Sequence, residues 1–390
     1  MGGGNTQILY EVTAEQLRQH RIEVGMHLEG DMGATVDIVL PSWFPGFYSI
    51  EDPAKRVRSV IASTRGRGAS LPVDRIDKSR WRITTNSARA IEVRLEVYAH
   101  ELTDAGLDVS EDHLFINAGR CLPYVDGHLE EPHEVVLHLP DPAWRVYTEL
   151  TEVSNHPPRY RAENYDILVD SPIDCGEPVE LMARPSGIPH RILLCGRGGN
   201  YEGHRLEVDV DRIASASIRL FGESPLRHYT FFLHIADRHA GGLEHLTSNS
   251  CVVERTAFRP ESAYARILYL LSHEYFHLYN VKRIHPKVLG PFDYTREVYT
   301  RLLWLMEGTT EYYAGLLVRR GQCLPAERYL DRLATTIRDY LRIPGRLVRS
   351  AEEASFLSWI DLYHPFEDTP NQSISYYRKG ELVSLVLDLE

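Results

Sequence analysis

Little in this sequence could build a disulfide framework. Among 390 residues there are five cysteines, Cys121, Cys175, Cys195, Cys251 and Cys323, and no two stand in a C-x-x-C spacing. An odd, scattered set suggests neither a stapled scaffold nor a thiolate zinc knuckle. Reduced, mostly buried thiols are the expectation, and with them a cytoplasmic setting. No run of about 18 apolar residues occurs, so no transmembrane helix and no integral membrane segment is expected. An excess of positive charge is also missing. Lys and Arg total 43 against 55 Asp and Glu, a net charge of −12, and no basic patch stands out. Nucleic acid is therefore not an expected partner. The start, Met1-Gly2-Gly3-Gly4-Asn5-Thr6, lacks the charged and apolar regions of a signal peptide. It fits the permissive N-myristoylation pattern but reads as a flexible terminus.

What is present is ordinary globular composition, 43% hydrophobic and 25% charged. That excludes wholesale disorder, and the length suggests about two to three domains. The first half carries period-two patterns. Ile22, Val24, Met26 and Leu28 alternate with polar or small residues, as do Val36, Ile38 and Leu40, then Ile91, Val93, Leu95 and Val97, then Val135, Leu137 and Leu139. Alternation puts each set on one sheet face, and several such strands between turns predict an N-terminal β-sandwich over 1–170. The turns are marked by Pro45-Gly46, Asp126-Gly127 and Pro140-Asp141-Pro142.

From 171 to 390 the character shifts. Two more strands are expected, around Leu206–Val210 and Tyr229–Ile235. Helices are expected from an N-cap at Ser262 to about Tyr279, over about Arg296–Arg320, from a first position at Pro325, and from near Tyr376. The last pattern is still running at Glu390, with no Gly to close it, so the chain is expected to be a piece of a longer protein.

His273-Glu274-Tyr275-Phe276-His277 is an H-E-x-x-H pattern. Two histidines four apart leave one helix face and can share a Zn²⁺, with the glutamate placed as general base for a water. Ile267, Leu268, Leu270 and Leu271 fit a core helix, which leaves two half-buried structural histidines as the plain alternative. A catalytic zinc site needs a third protein ligand. Glu307, 30 positions after His277 on an apolar helix face, is the candidate, since a carboxylate there wants a partner. Glu311 could orient a ligand histidine, but the usual exposure of Glu assigns it to a solvated face.

These residues resemble a known family. HEYFH, Asn280-Val281-Lys282-Arg283-Ile284, Leu289-Gly290-Pro291-Phe292-Asp293-Tyr294-Thr295 and the run from Thr300 to Tyr313 are similar to the glycyl aminopeptidases. Those are gluzincin metallopeptidases distantly similar to aminopeptidase N and leukotriene A4 hydrolase. The likeness extends to Pro41–Tyr48 and Ser375–Gly380. It implies a multidomain α+β chain, in which the sandwich precedes a thermolysin-like, mainly helical zinc metallopeptidase domain with a small β-sheet, usually followed by a PDZ domain that is not part of this sequence. It implies His273, His277 and Glu307 as ligands of one Zn²⁺ per chain and Glu274 as the base. It further implies Glu244, in Gly242-Leu243-Glu244-His245, as the anchor of a substrate α-ammonium, and Tyr377 as the oxyanion donor, with Tyr376 as the neighbour that could be confused with it. Tyr279 and His285 stand where the family more often has Trp and Arg. The implied function is an aminopeptidase acting on short peptides with a free N-terminus and a small first residue, Gly or Ala. An endopeptidase with the same zinc site, or a non-catalytic scaffold that keeps the metal, would share most of these residues.

Overall fold

A computed structural model describes residues 6–66 and 68–390. All but Thr6 of the N-myristoylation pattern lies outside the described residues. The chain divides into two compact units: one runs to Pro45 and takes in Ile50–Glu177 and Tyr294–Arg296, and the other holds Gly46–Ser49, Pro178–Asp293 and Glu297–Glu390. No helix among the described residues is long and apolar enough to cross a membrane.

The first unit is rich in β structure, as the period-two patterns predict. Its largest sheet runs Thr151–Asn155, Pro158–Ala162, His133–His138, Gln7–Gln16, Arg21–Glu29, Ala90–Tyr98, Val57–Thr64 and Ser70–Leu71. Among the described residues of this sheet only Gln7–Gln16 and His133–His138 pair parallel. Register follows apolar alternation: Val24 faces Leu95, Met26 faces Val93 and Leu28 faces Ile91, and all six are fully buried. Each such side chain contributes roughly 1.5–3 kcal/mol on burial, so a one-residue slip would expose the whole set. Smaller sheets of five and four strands complete the unit.

The second unit holds a five-stranded sheet and the longer helices, while a short helix, Tyr165–Val169, lies in the first. The strands are β1 (Val179–Ala183), β2 (His190–Cys195), β3 (Tyr229–Ala236), β4 (Gly241–Glu244) and β5 (Ser248–Glu254), in the order β1-β2-β3-β5-β4. β2, β3 and β5 are mutually parallel, with antiparallel strands at both edges. β3 is buried along nearly its whole length, as a strand covered on both faces requires.

The strand expected around Leu206–Val210 is instead inside α1 (Gly203–Phe221). The short alternating stretch belongs to a longer helical period: Leu206, Val210, Ile213, Ala214, Ser217 and Ile218 are the buried set, spaced by three and four. α2 (Glu261–Phe276) begins after Pro260 rather than Ser262, and stops three residues before Tyr279. The helix expected from Arg296 starts only with a π-helical turn at Trp304–Gly308, which leads into α3 (Thr309–Arg320). α4 (Ala326–Arg342) has Pro325 at its N-cap rather than its first position, and α5 (Tyr376–Leu389) follows a group of short helices.

α2 is held against the sheet by Ile267, Leu268, Leu271 and Tyr275, which join Phe231, Leu233 and Cys251 in one core. Two glycines let α5 approach the Glu307 turn. A Cβ on Gly308 would lie 2.4 Å from the Gly380 Cα, and one on Gly380 would lie 2.3 Å from the Trp304 carbonyl oxygen. Backbone meets backbone there, which fixes Tyr376 and Tyr377 beside Glu307.

Candidate metal centre

His273 and His277 stand one turn apart on α2, so both rings leave the same face. Their Nε2 atoms lie 2.9 Å apart, and Glu307 Oε2 lies 3.3 Å from the first and 3.2 Å from the second. Ligand atoms 2.0–2.1 Å from a tetrahedral zinc are about 3.3 Å from one another, so this donor set fits the ion. The remaining ring nitrogens are engaged elsewhere. His273 Nδ1 donates to Glu311 Oε2 at 2.9 Å, and His277 Nδ1 donates to the Asn280 carbonyl oxygen at 2.7 Å. Those bonds set both tautomers and turn both Nε2 lone pairs toward the same point.

Asn280 ties the segment after α2 to the Glu307 turn. Its side-chain amide donates to the carbonyl oxygens of Leu305 and Met306 and to Thr310 Oγ1, at 3.0, 2.9 and 3.1 Å. Val281, next in the chain, has φ = 142°, a backbone region that a β-branched residue adopts only under constraint.

Glu311 does not lie on a solvated face. Besides its bond to His273, it pairs with Arg332 of α4, which also donates to Glu381 Oε1 of α5 at 2.5 Å. Arg332 and Glu381 are 15% and 3% exposed. A chain of charge thus runs from Glu381 through Arg332 and Glu311 to the ring of His273. Glu311 follows Glu307 by one helical turn, and that spacing was the one sign of it in the sequence. Arg332 sits on another helix and gave none.

Glu274 is buried, and its Oε2 has no hydrogen-bond partner. Burial raises its pKa to about 8, against the opposing pull of His273 and His277. For His273 burial opposes protonation, but its hydrogen bonds to Glu307 and Glu311 outweigh that and raise its pKa well above the ordinary value, so a metal ion would have to displace the Nε2 proton to reach the lone pair. Gly242 on β4 passes directly over Glu274, where a Cβ would lie 2.4 Å from Oε1. Two residues on, Glu244 is buried too, and one of its oxygens lies within 4.8 Å of a Glu274 oxygen and a His277 ring nitrogen. It is not an exposed edge residue. Gly46, with φ = 90°, presses on the other side: a Cβ there would meet Glu244 Oε2 at 3.0 Å and Leu243 Cδ1 at 2.3 Å.

Tyrosines close the site. Tyr377 is half-buried, with its ring stacked 6.1 Å from the His273 ring, and it lines a cavity with His273 and Glu274. Tyr376 stacks on it at 4.8 Å but is buried. Burial first, then the charge of Glu307, raises the pKa of Tyr48, Tyr363 and Tyr377, and Glu244 adds to the effect in all three. Tyr48 and Tyr363 carried no role in the sequence reading. The six residues His273, Glu274, His277, Glu307, Glu244 and Tyr377 are brought together in the second unit.

Comparison with known proteins gives the same picture at the level of family and fold. The profile of the Peptidase M61 N-terminal domain matches residues 9–177, and that of the M61 glycyl aminopeptidase matches residues 266–383. No curated protein matches. The crystal structure of an aminopeptidase N family protein from Idiomarina loihiensis is 34% identical, covering 98% of this chain and 66% of that one, with a TM-score of 0.93. This chain thus spans 66% of the length of that relative. A mutant M1 zinc metallopeptidase from Deinococcus radiodurans, bound to a Tyr-Ser-Ala substrate, shares the fold at 14% identity, with 99% and 83% coverage and a TM-score of 0.54.

Proposed function

The chain belongs to the M61 glycyl aminopeptidase family, and on that premise we propose that it is a zinc-dependent aminopeptidase that removes small first residues, Gly or Ala, from short peptides. The observation that carries this reading is the convergence of His273 Nε2, His277 Nε2 and Glu307 Oε2 beside two further buried carboxylates. His273, His277 and Glu307 hold the zinc. When bound, the ion makes water acidic near neutral pH and polarises a carbonyl.

The chain's own groups do the rest. Glu244 receives the substrate's α-ammonium, because a buried carboxylate favours a charge-assisted partner. Anchoring the amine there leaves the first peptide bond over Glu274. Glu274 takes a proton from the attacking water and passes it to the leaving amine. Burial favours the protonated carboxyl and the positive charge of a bound ion favours the carboxylate, so Glu274 can take the proton and release it again. The Tyr377 hydroxyl, kept protonated by burial and the Glu307 charge, donates to the oxyanion as it develops. Tyr376 is the weaker candidate for that task, since it does not line the cavity that holds His273 and Glu274. Close packing supports the preference for a small first residue: the backbone at Gly46 stands against Glu244, where a Cβ would meet Oε2 at 3.0 Å.

One glycyl peptide, with its amino end free or acetylated, tests the reading. Cleavage of the free form alone, abolished by a chelator, is expected. Cleavage of both forms would make the protein an endopeptidase, and cleavage of neither by zinc-loaded protein would leave the scaffold alternative.

A further inference from the structure

A cavity of about 770 Å³ opens beside the metal centre, with His273, Glu274, Gly242 and Tyr377 on its inner wall. That volume suits a small ligand. Glu244 is not among its lining residues, but Glu274 adjoins both Glu244 and the cavity. The side walls carry four arginines: Arg266 from α2, Arg328 and Arg332 from α4, and Arg378 from α5. Arg332 is occupied by Glu311 and Glu381. The other three are not occupied in this way. The Arg266 guanidinium donates only to the Ser262 carbonyl oxygen, and the Arg328 and Arg378 side chains make no hydrogen bond or ion pair among the described residues. Asp331 and Asp339 line the same cavity, and neither pairs with the three.

We propose that Arg266, Arg328 and Arg378 form a carboxylate subsite that anchors the part of a short peptide beyond the scissile bond. The inference rests on the aminopeptidase reading for the direction in which the substrate runs. A guanidinium presents a rigid fork of donors that matches a carboxylate, and three such groups around one cavity, none of them in a direct ion pair although Arg328 feels the charge of Glu261, favour an anion there. Position sets the length. Arg266 precedes His273 by two helical turns, about 10.5 Å along α2. An extended residue spans at most about 3.3–3.6 Å, so a carboxylate about three residues past the cleaved bond reaches it. Arg378, directly after Tyr377, serves shorter peptides. The anion can be the terminal carboxylate or an acidic side chain near it.

Calorimetric titration of the zinc-loaded Glu274→Gln protein separates the sources without turnover. The ligands are Gly-Ala-Ala-Ala, its C-terminal amide, and Gly-Ala-Ala-Asp as the amide. The free acid is expected to bind about tenfold more tightly than the first amide, as one charge-assisted contact supplies. That advantage is expected to vanish when Arg266→Gln and Arg378→Gln are added together. If the Asp amide recovers the affinity, an acidic side chain serves as well as the terminus, and the subsite stands. Equal binding of acid and both amides, an advantage that survives the double substitution, or no binding of any of the three would overturn it. Binding is read apart from cleavage. Peptides bound through the carboxylate yet never cut by the unsubstituted protein would sink the aminopeptidase reading alone, and cutting without any preference for the acid would sink the subsite alone.

Discussion

His273 shows how a proposed metal ligand is held from behind. Its Nδ1 donates to Glu311, and Glu311 is fixed in turn by Arg332, which also neutralises the buried Glu381. Glu311→Ala frees the ring to rotate and change tautomer, so zinc affinity should fall about 10–100-fold, as read by competition with a chelating dye. An unchanged zinc affinity would show that the bond does not orient the ligand. Arg332→Gln should act differently, since it leaves Glu381 charged and unpaired at 3% exposure. A loss of about 3–5 kcal/mol in urea unfolding is expected, and Arg332→Lys should recover part of it. Glu274 is the contrasting case, a buried carboxylate with an oxygen that bonds to nothing. Glu274→Gln should lower turnover by at least about 10²–10⁴-fold while zinc content, measured by atomic absorption, stays the same. Retained activity would remove Glu274 as the base. The convergence of the histidines and Glu274 was legible because a helix repeats every 3.6 residues, so five letters bring two imidazoles and a carboxylate to one site. Arg332 was not, because nothing local links position 332 to position 311.

The helices were legible where one face is buried and ambiguous where a segment is short. Val208 and Val210 alternate as in a strand, but the buried set that fixes α1 extends to Ile218 with three- and four-residue steps. A five-residue window could not see that period. The crossing of α5 with the Glu307 turn depended on glycines whose purpose the sequence does not state. Gly308→Ala would place a methyl 2.4 Å from the Gly380 Cα, and the helices must separate. The cost should be about 1–3 kcal/mol in stability, with Tyr377 displaced from the site as well. A pH effect belongs to α2 through Tyr275. The buried His190 Nε2 lies 2.9 Å from the Tyr275 hydroxyl, and burial lowers the His190 pKa to about 4 from 6.5. The unfolded chain therefore binds this proton below about pH 6.5 and the folded chain only below about 4. Stability from this residue is complete above pH 6.5 and is lost as pH falls toward 4, up to about 3 kcal/mol at about 1.4 kcal/mol per pH unit. His190→Gln should flatten that part of the unfolding profile between pH 6.5 and 4. A slope unchanged by the substitution would place the pH sensitivity elsewhere.

The candidate site draws Glu244 from a sheet edge, two histidines and Glu274 from α2, Glu307 from a π-helical turn and Tyr377 from α5. Four separate stretches of one unit must therefore fold together before the donors meet, which is why Glu244 and Tyr377 could be reached from the sequence only through family likeness and not through any spacing. The same dispersal couples metal binding to folding. An ion held by His273, His277 and Glu307 binds the folded second unit and has no such set in the unfolded chain, so it must stabilise that unit. Free zinc at 100 times its dissociation constant corresponds to about 2.7 kcal/mol. For a unit of about 200 residues that is a rise of roughly 5–10 °C in Tm. Differential scanning calorimetry of the full chain, with zinc and then with excess chelator, should show the rise and its reversal. Glu307→Ala should remove the zinc-dependent part and bind no stoichiometric metal. A Tm indifferent to zinc in the unsubstituted protein would mean that the three donors are held together by their own hydrogen bonds, with no metal between them.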